Sequence, residues 1–133
     1  MERRGGVGGG TFTNTGTIKV AGGAPNLRTL LRDAGTILHG DAYLDFDASG
    51  GKVQVLNGGL YEVVTPSNNY GLRQFADGYG VAVESGGVFR VSGAGAFFAN
   101  VGNAPTFNVN GGTVEVMGGC FTSIRAALSR MRR

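Results

Sequence analysis

Gly16-Thr17-Ile18-Lys19-Val20, Gly51-Lys52-Val53-Gln54-Val55, Gly87-Val88-Phe89-Arg90-Val91 and Gly112-Thr113-Val114-Glu115-Val116 are four copies of one phrase. Each reads glycine, a variable residue, an apolar residue, a variable residue, valine. A turn follows every copy: Ala21-Gly22-Gly23, Leu56-Asn57-Gly58-Gly59, Ser92-Gly93-Ala94-Gly95 and Met117-Gly118-Gly119. The last three copies are preceded by a glycine, forming Gly50-Gly51, Gly86-Gly87 and Gly111-Gly112. Alternation with period two puts the apolar pair on one side of a short strand. Ile18 and Val20, Val53 and Val55, Phe89 and Val91, and Val114 and Val116 are therefore expected to point inward. Lys19, Gln54, Arg90 and Glu115 form the expected outward row.

The copies begin at residues 16, 51, 87 and 112, so the spacings are 35, 36 and 25 residues. Repetition at a period of roughly 20–50 residues is the signature of a solenoid, a propeller or an array. A second alternating stretch precedes three of the phrases: Tyr43-Leu44-Asp45-Phe46-Asp47, Gly80-Val81-Ala82-Val83-Glu84 and Thr106-Phe107-Asn108-Val109-Asn110. A third follows the turns: Leu60-Tyr61-Glu62-Val63-Val64, Ala96-Phe97-Phe98-Ala99 and Cys120-Phe121-Thr122-Ser123-Ile124. About three strands per period predict an all-β fold, a short single-stranded parallel β-helix. An antiparallel β-sandwich is the alternative.

The first two periods exceed the shortest by 10 and 11 residues, and extra residues in a coil leave the wall as loops. The excess is placed at 25–35 and 66–78. The first of these carries helix signals: Pro25 and Asn26 at its start, Leu27, Leu30 and Leu31 at helical spacing, and Gly35 as a stop. Residues 1–10 read as a flexible glycine-rich lead-in and 11–122 as the coils. Residues 123–133 read as a basic amphipathic helix, with Ile124, Ala127, Leu128 and Met131 on one stripe, capping the open end of the core.

Composition agrees with many short strands and tight turns. Glycine supplies 26 of 133 residues, yet the three-residue period of collagen is absent. A hydrophobic content of 41% is enough to build a core. The net charge of +3 comes from arginines at the two ends, so no basic face for nucleic acid is expected. No apolar stretch is long enough for a membrane span. Cys120 is the one cysteine, which excludes an internal disulfide, and it reads as a buried small hydrophobe. His39 is the one histidine, so neither a zinc site nor a histidine-based triad has partners for it. Gly6-Val7-Gly8-Gly9-Gly10 lacks the flanking strand, helix and Gly-Lys-Ser/Thr of a phosphate-binding loop. No cofactor, metal or catalytic residue is expected on these grounds.

One polar cluster emerges. With Leu44 and Phe46, Val81 and Val83, and Phe107 and Val109 inward, the outward rows become Asp45, Ala82 and Asn108, and Asp47, Glu84 and Asn110. Asp45, Asp47, Glu84, Asn108 and Asn110 are thus the candidate ligand-binding residues. Stacked carboxylates and amides could bind a sugar or a cation, or pair an acid with a base. The bland alternative is a solvated outer face that discourages sheet association.

Phe12-Thr13-Asn14-Thr15-Gly16-Thr17-Ile18, with Val20 and Gly22-Gly23, resembles the repeat of right-handed parallel β-helix passengers of bacterial autotransporters and related adhesins. The resemblance spans about residues 9–124. Pectin-lyase-like enzymes and phage tailspikes share that architecture. The resemblance implies an extracellular, cell-surface or virion location and carries over no catalytic residue. The chain departs from autotransporters in showing no signal peptide, no membrane barrel and few coils. The expected function is a non-catalytic structural or adhesive surface module contacting carbohydrate or another cell-surface ligand. A polysaccharide lyase or hydrolase, or a self-assembling homo-oligomeric solenoid unit, is the alternative.

Overall fold

Strands of four residues ended by glycine or asparagine bends are too short to bury a face alone. They gain cover and backbone partners when each turn of the chain lies on the turn before it. The computed structural model describes residues 10–47, 50–64, 71–74, 80–93, 97–100 and 106–117. Their strands in chain order are β1 (Thr11–Asn14), β2 (Thr17–Val20), β3 (Asn26–Leu27), β4 (Leu30–Asp33), β5 (Thr36–His39), β6 (Tyr43–Phe46) and β7 (Lys52–Val55). These are followed by β8 (Leu60–Val63), β9 (Gly71–Gln74), β10 (Gly80–Glu84), β11 (Val88–Val91), β12 (Phe97–Asn100), β13 (Thr106–Asn110) and β14 (Thr113–Val116). No helix occurs among the described residues.

Each strand pairs with the strand three places further along the chain, always in parallel. The result is three walls. Wall 1 runs β1-β4-β7-β10-β13, wall 2 runs β2-β5-β8-β11-β14, and wall 3 runs β3-β6-β9-β12. The fold is a parallel β-helix, and no antiparallel sandwich is present. Coils begin at residues 11, 30, 52, 80 and 106, so successive coils take 19, 22, 28 and 26 residues.

The inward columns are apolar, as the alternation predicts. Wall 1 stacks Leu31, Val53 and Val81, and beside them Val55 and Val83; wall 2 stacks Ile37, Tyr61 and Phe89, and beside them Val63 and Val91. Wall 3 contributes Leu44, Phe46 and Leu72 to the same core. Tyr61 and Phe89 stack with ring centroids 5.1 Å apart and planes 20° from parallel. At ~1.5–3 kcal/mol for each large apolar side chain buried, this axial core is the main favourable contribution to folding. Ile18, Val20 and Val114 are half-buried and Val116 is 50% exposed, because they lie in the outermost described coils.

Three expectations need correction. The phrase is not one wall: Gly51-Lys52-Val53-Gln54-Val55 forms β7 of wall 1, whereas the other three copies form β2, β11 and β14 of wall 2. Wall 2 is completed by Gly35-Thr36-Ile37-Leu38-His39 and Gly59-Leu60-Tyr61-Glu62-Val63. The true column glycines are therefore Gly16, Gly35, Gly59, Gly87 and Gly112, and the described residues form five coils where the phrase has four copies. Second, 25–35 is not a helical insertion. It holds β3 and β4, where Leu31 and Asp33 point inward, and β4 pairs on both sides with β1 and β7. Leu27, Leu30 and Leu31 fit helical spacing only because a short corner separates two strands. Third, the 66–78 insertion contains the wall strand β9. The lead-in over residues 1–9 and the helical cap at 123–133 lie outside the described residues.

The corner between walls 1 and 2 explains the glycine pairs. In the third, fourth and fifth coils the first glycine of the pair, Gly58, Gly86 or Gly111, takes a left-handed φ of 85°, 85° or 86°. That conformation is costly for a side-chain-bearing residue. The second glycine solves a different problem. A Cβ on Gly35 would lie under 3.0 Å from the Gly16 carbonyl oxygen, and one on Gly59 under 3.0 Å from that of Asp33. The same carbonyls carry the ladder: the Thr36 amide donates to Gly16 O and the Leu56 amide to Asp33 O, each at 2.8 Å. The coils thus meet backbone to backbone at this corner. Gly59→Ala and Gly35→Ala are each expected to destabilise the fold by about 1–3 kcal/mol, the usual cost of overpacking. Gly16→Ala, with no described residue within 4 Å of the added carbon, should change stability by less than ~0.5 kcal/mol. Urea unfolding of the three variants checks this; a Gly59→Ala midpoint equal to the parent's would refute the close-packed corner.

Candidate functional site

The five expected ligand-binding residues fall on two walls. Asp45 lies in β6 of wall 3 and is only 7% exposed; its register partners are Asn26 and Arg73. Asp47 follows β6 and accepts a hydrogen bond from Asn26 Nδ2 at 3.2 Å, with Arg28 Nε 3.5 Å away. Glu84, Asn108 and Asn110 belong to wall 1, at the end of β10 and on β13. There Glu84 Oε2 accepts from Gln54 Nε2 at 3.0 Å and from Asn110 Nδ2 at 3.4 Å. The rows Asp45–Ala82–Asn108 and Asp47–Glu84–Asn110 therefore do not exist as continuous rows. Asp47 precedes the start of a wall 1 strand and Glu84 ends one, so a strand length of roughly 13 Å lies between their positions. Paired glycosidase carboxylates stand about 5–9.5 Å apart. The strip that does form is Gln54–Glu84–Asn110, with the exposed Asn108 beside it.

Wall 2 carries a second polar row, Lys19, Leu38, Glu62, Arg90 and Glu115. Gln54, expected in this row, lies on wall 1 instead. Arg90 Nε donates to Glu115 Oε1 at 2.7 Å, and its Nη1 lies 3.8 Å from Glu62 Oε1. The hydrogen bond to Glu115, reinforced by the charges of Glu115 and Glu62, holds the guanidinium protonated more firmly than usual. Ser92 Oγ donates to Glu62 Oε2. Charge alternates along this edge, and cross-strand neighbours of opposite sign stabilise a sheet.

A third polar group lies inside the coil. Asn14 and Asp33 take the inward positions that Val55 and Val83 fill in later coils, and His39 takes a position filled by Val63 and Val91. Asn14 Nδ2 donates to Asp33 Oδ1 at 2.9 Å. Asp33 Oδ1 also accepts the Gly35 amide at 3.2 Å, and Asn14 Oδ1 accepts the Gly16 amide at 3.1 Å. Each side chain thereby closes its own corner, where later coils use a glycine pair. The other carboxylate oxygen of Asp33 is buried without a hydrogen-bond partner among the described residues. Burial raises the Asp33 pKa against the opposing effect of the Asn14 and Gly35 bonds.

His39 is fully buried. Its Nε2 lies 2.7 Å from the Ala42 carbonyl oxygen, which only accepts, so Nε2 carries the proton. Nδ1 is then the acceptor, and Tyr61 donates its hydroxyl hydrogen to it at 2.7 Å. Burial lowers the His39 pKa, partly offset by the Ala42 bond. Burial, and then the charge of Asp33, raises that of Tyr61 well above its ordinary value. Single-residue reading of the chain does not single out Asp33 or Tyr61, and it takes His39 only as a histidine without partners for zinc or a triad. The available signal was Gly16-Thr17-Ile18 repeated as Gly35-Thr36-Ile37, each two residues after Asn14 or Asp33. All three are closed to solvent, so they offer no surface to a dissolved substrate. Among the described residues no three His, Cys, Asp or Glu side chains are placed to hold a metal ion. No described helix is long and apolar enough to cross a membrane.

The internal group makes stability depend on pH. The folded His39 pKa lies below 6.5, so the unfolded chain binds more protons as the pH falls below that value. Stability is therefore fully present above pH 6.5 and declines toward the lower folded pKa. Asp33 acts with the opposite sign: its stabilising contribution is complete below 3.8 and lost as pH rises through its folded pKa. His39→Phe should abolish the decline below pH 6.5, and Asp33→Asn should raise the unfolding midpoint at pH 7. Tyr61→Phe removes the donor to buried Nδ1 and should cost about 1–3 kcal/mol. Denaturant unfolding across pH reads all three; a His39→Phe profile with the parent's slope would contradict the assignment.

No family model, curated protein or solved structure matches this chain.

Proposed function

We propose that the chain is a non-catalytic structural or adhesive surface module of an exported or virion protein, contacting carbohydrate or another cell-surface ligand through its outer walls. The observation that supports this reading is the separation of the candidate acidic residues onto two walls. On each wall the carboxylates are tied to side chains of the neighbouring coils: Asp47 to Asn26 and Arg28, and Glu84 to Gln54 and Asn110. An acid and a base acting on one glycosidic bond need a shared centre. A surface that only binds needs hydrogen-bonding groups at regular spacing, and the Gln54–Glu84–Asn110 strip with Asn108 supplies amide donors and acceptors at strand intervals. Sugar hydroxyls are suited to such a strip because each both donates and accepts.

Amide substitution separates binding from catalysis. Asp47→Asn with Glu84→Gln keeps side-chain volume and hydrogen bonding but removes the charge needed for acid–base chemistry. Binding on a glycan array or to cells is expected to persist within about threefold in this double variant, since neutral hydrogen bonds retain most of the contact. Asn108→Ala with Asn110→Ala is expected to weaken binding roughly tenfold. Release of new reducing ends or unsaturated sugars from a polysaccharide, abolished by Asp47→Asn with Glu84→Gln, would replace this reading with the enzymatic one.

A further inference from the structure

Within the glycine column, Gly35, Gly59, Gly87 and Gly112 each have the preceding coil pressed against the place where a Cβ would stand. Gly16 occupies the same column position in the first described coil, and no described residue lies within 4 Å of its would-be Cβ. Its φ is not in the left-handed range either. Among the described residues, neither close approach nor backbone conformation therefore calls for glycine at 16. A coil packed against the outer side of β1 and β2 would supply the missing reason.

The opposite end has the complementary form. Among the described residues, β1 and β2 are edge strands at one end of walls 1 and 2, and β13 and β14 are the edges at the other. Continuing the wall 2 register past β14 sets Thr17 on Thr113, Ile18 on Val114, Lys19 on Glu115 and Val20 on Val116. Apolar meets apolar at both inward positions. On the outward row, the alternation Glu62, Arg90, Glu115 is next met by a cation, Lys19, which is exposed and makes no ion pair among the described residues. Phe12 at 54%, Val116 at 50% and Met117 at 68% exposure are large apolar side chains left open at these two ends. The backbone is in phase as well. Val20, His39, Val63 and Val91 carbonyls accept amides of Gly40, Val64, Ser92 and Met117 in turn, so Val116 O is placed to accept the Ala21 amide of a following coil.

The geometry points to a second copy of this chain as the occupant: copies associate head to tail, β1 and β2 of one continuing walls 1 and 2 beyond β13 and β14 of the next. The contact joins two different surfaces and does not close on itself, so it generates an open row rather than a dimer. This goes beyond the surface-module reading and does not depend on it, since a rod of any length presents the same outer walls.

Sedimentation velocity and light scattering of the full chain over a concentration series test it. The expected result is a mass that grows with concentration past the dimer. Gly16→Val should leave the unfolding midpoint unchanged at a dilution where the parent is monomeric and return the protein to monomer at higher concentration, because the added Cβ meets no described residue within 4 Å in one copy and meets the neighbouring backbone between copies. Lys19→Glu, facing Glu115 of the next copy, should weaken association by at least about tenfold, and more at low salt. A monomer at every concentration, a species that saturates as a dimer, or Gly16→Val associating like the parent would overturn the inference. So would a full chain that stays monomeric but associates once residues 1–9 or 118–133 are removed, which would make that segment the occupant of its end. Glycan binding read on the same variants keeps the two ideas apart, since Gly16→Val leaves the Gln54–Glu84–Asn110 strip intact.

Discussion

Parallel strands in this molecule must approach to the ~4.8 Å pairing distance even where the chain is turning from one wall to the next. That requirement at the corner between walls 1 and 2 governs the rest. A side chain on the second corner glycine would strike a carbonyl of the coil below, and that coil's carbonyls are the acceptors of the ladder. The glycine column therefore sets both the spacing of the coils and the direction in which hydrogen bonds run. With the spacing set, the inward residues of successive coils fall into columns, and the apolar columns fill the bore. The walls then inherit rows of outward residues whose chemistry is free to vary, as the mixture Lys19, Leu38, Glu62, Arg90 and Glu115 shows.

The parallel β-helix was legible because its two determinants are local. Period-two alternation names the inward residues, and the glycine pairs name the corners. Val53, Val55, Val81, Val83, Phe89 and Val91 are all buried as that alternation requires. The coil length was not legible for a related reason. Gly51 matches the phrase yet stands at the corner between walls 3 and 1, where a Cβ would meet the Leu27 carbonyl oxygen. Two unrelated corners demand glycine for the same steric cause, so the phrase cannot say which wall follows it. Gly59-Leu60-Tyr61-Glu62-Val63 was hidden because its glycine had been counted as the end of the preceding turn. A period of 35 residues is one coil together with part of the coil before it.

The candidate site inherited that error. Asp47 and Glu84 look equivalent when each is read as the end of the strand before a glycine pair, but only pairing register separates wall 3 from wall 1. Glu84 with Asn110 survives as a contact because β10 and β13 are truly adjacent in one wall. The buried Asn14 and Asp33 escaped notice as core groups for a different reason. Asparagine and aspartate two residues before a glycine read first as turn formers, and here they are turn formers that also point into the core. Nothing in the local sequence distinguishes an inward from an outward turn carboxylate without the neighbouring coil.

A stack of similar coils has a problem of alignment, since any coil offers apolar columns to any other. The internal polar group removes that degeneracy in the first three coils. If the first coil skipped the second and lay on the third, Asn14 would face Val55 and the Asp33 carboxylate would lose its amide donor. If the second coil skipped the third and lay on the fourth, His39 would find the ring of Phe89 nearby, which has no hydroxyl to offer Nδ1. Each mismatch strands a buried polar group, at about 1–3 kcal/mol apiece. Three side chains that weaken the core in the correct stack thus penalise the incorrect ones more, and they number the coils in a molecule whose repeats would otherwise be interchangeable.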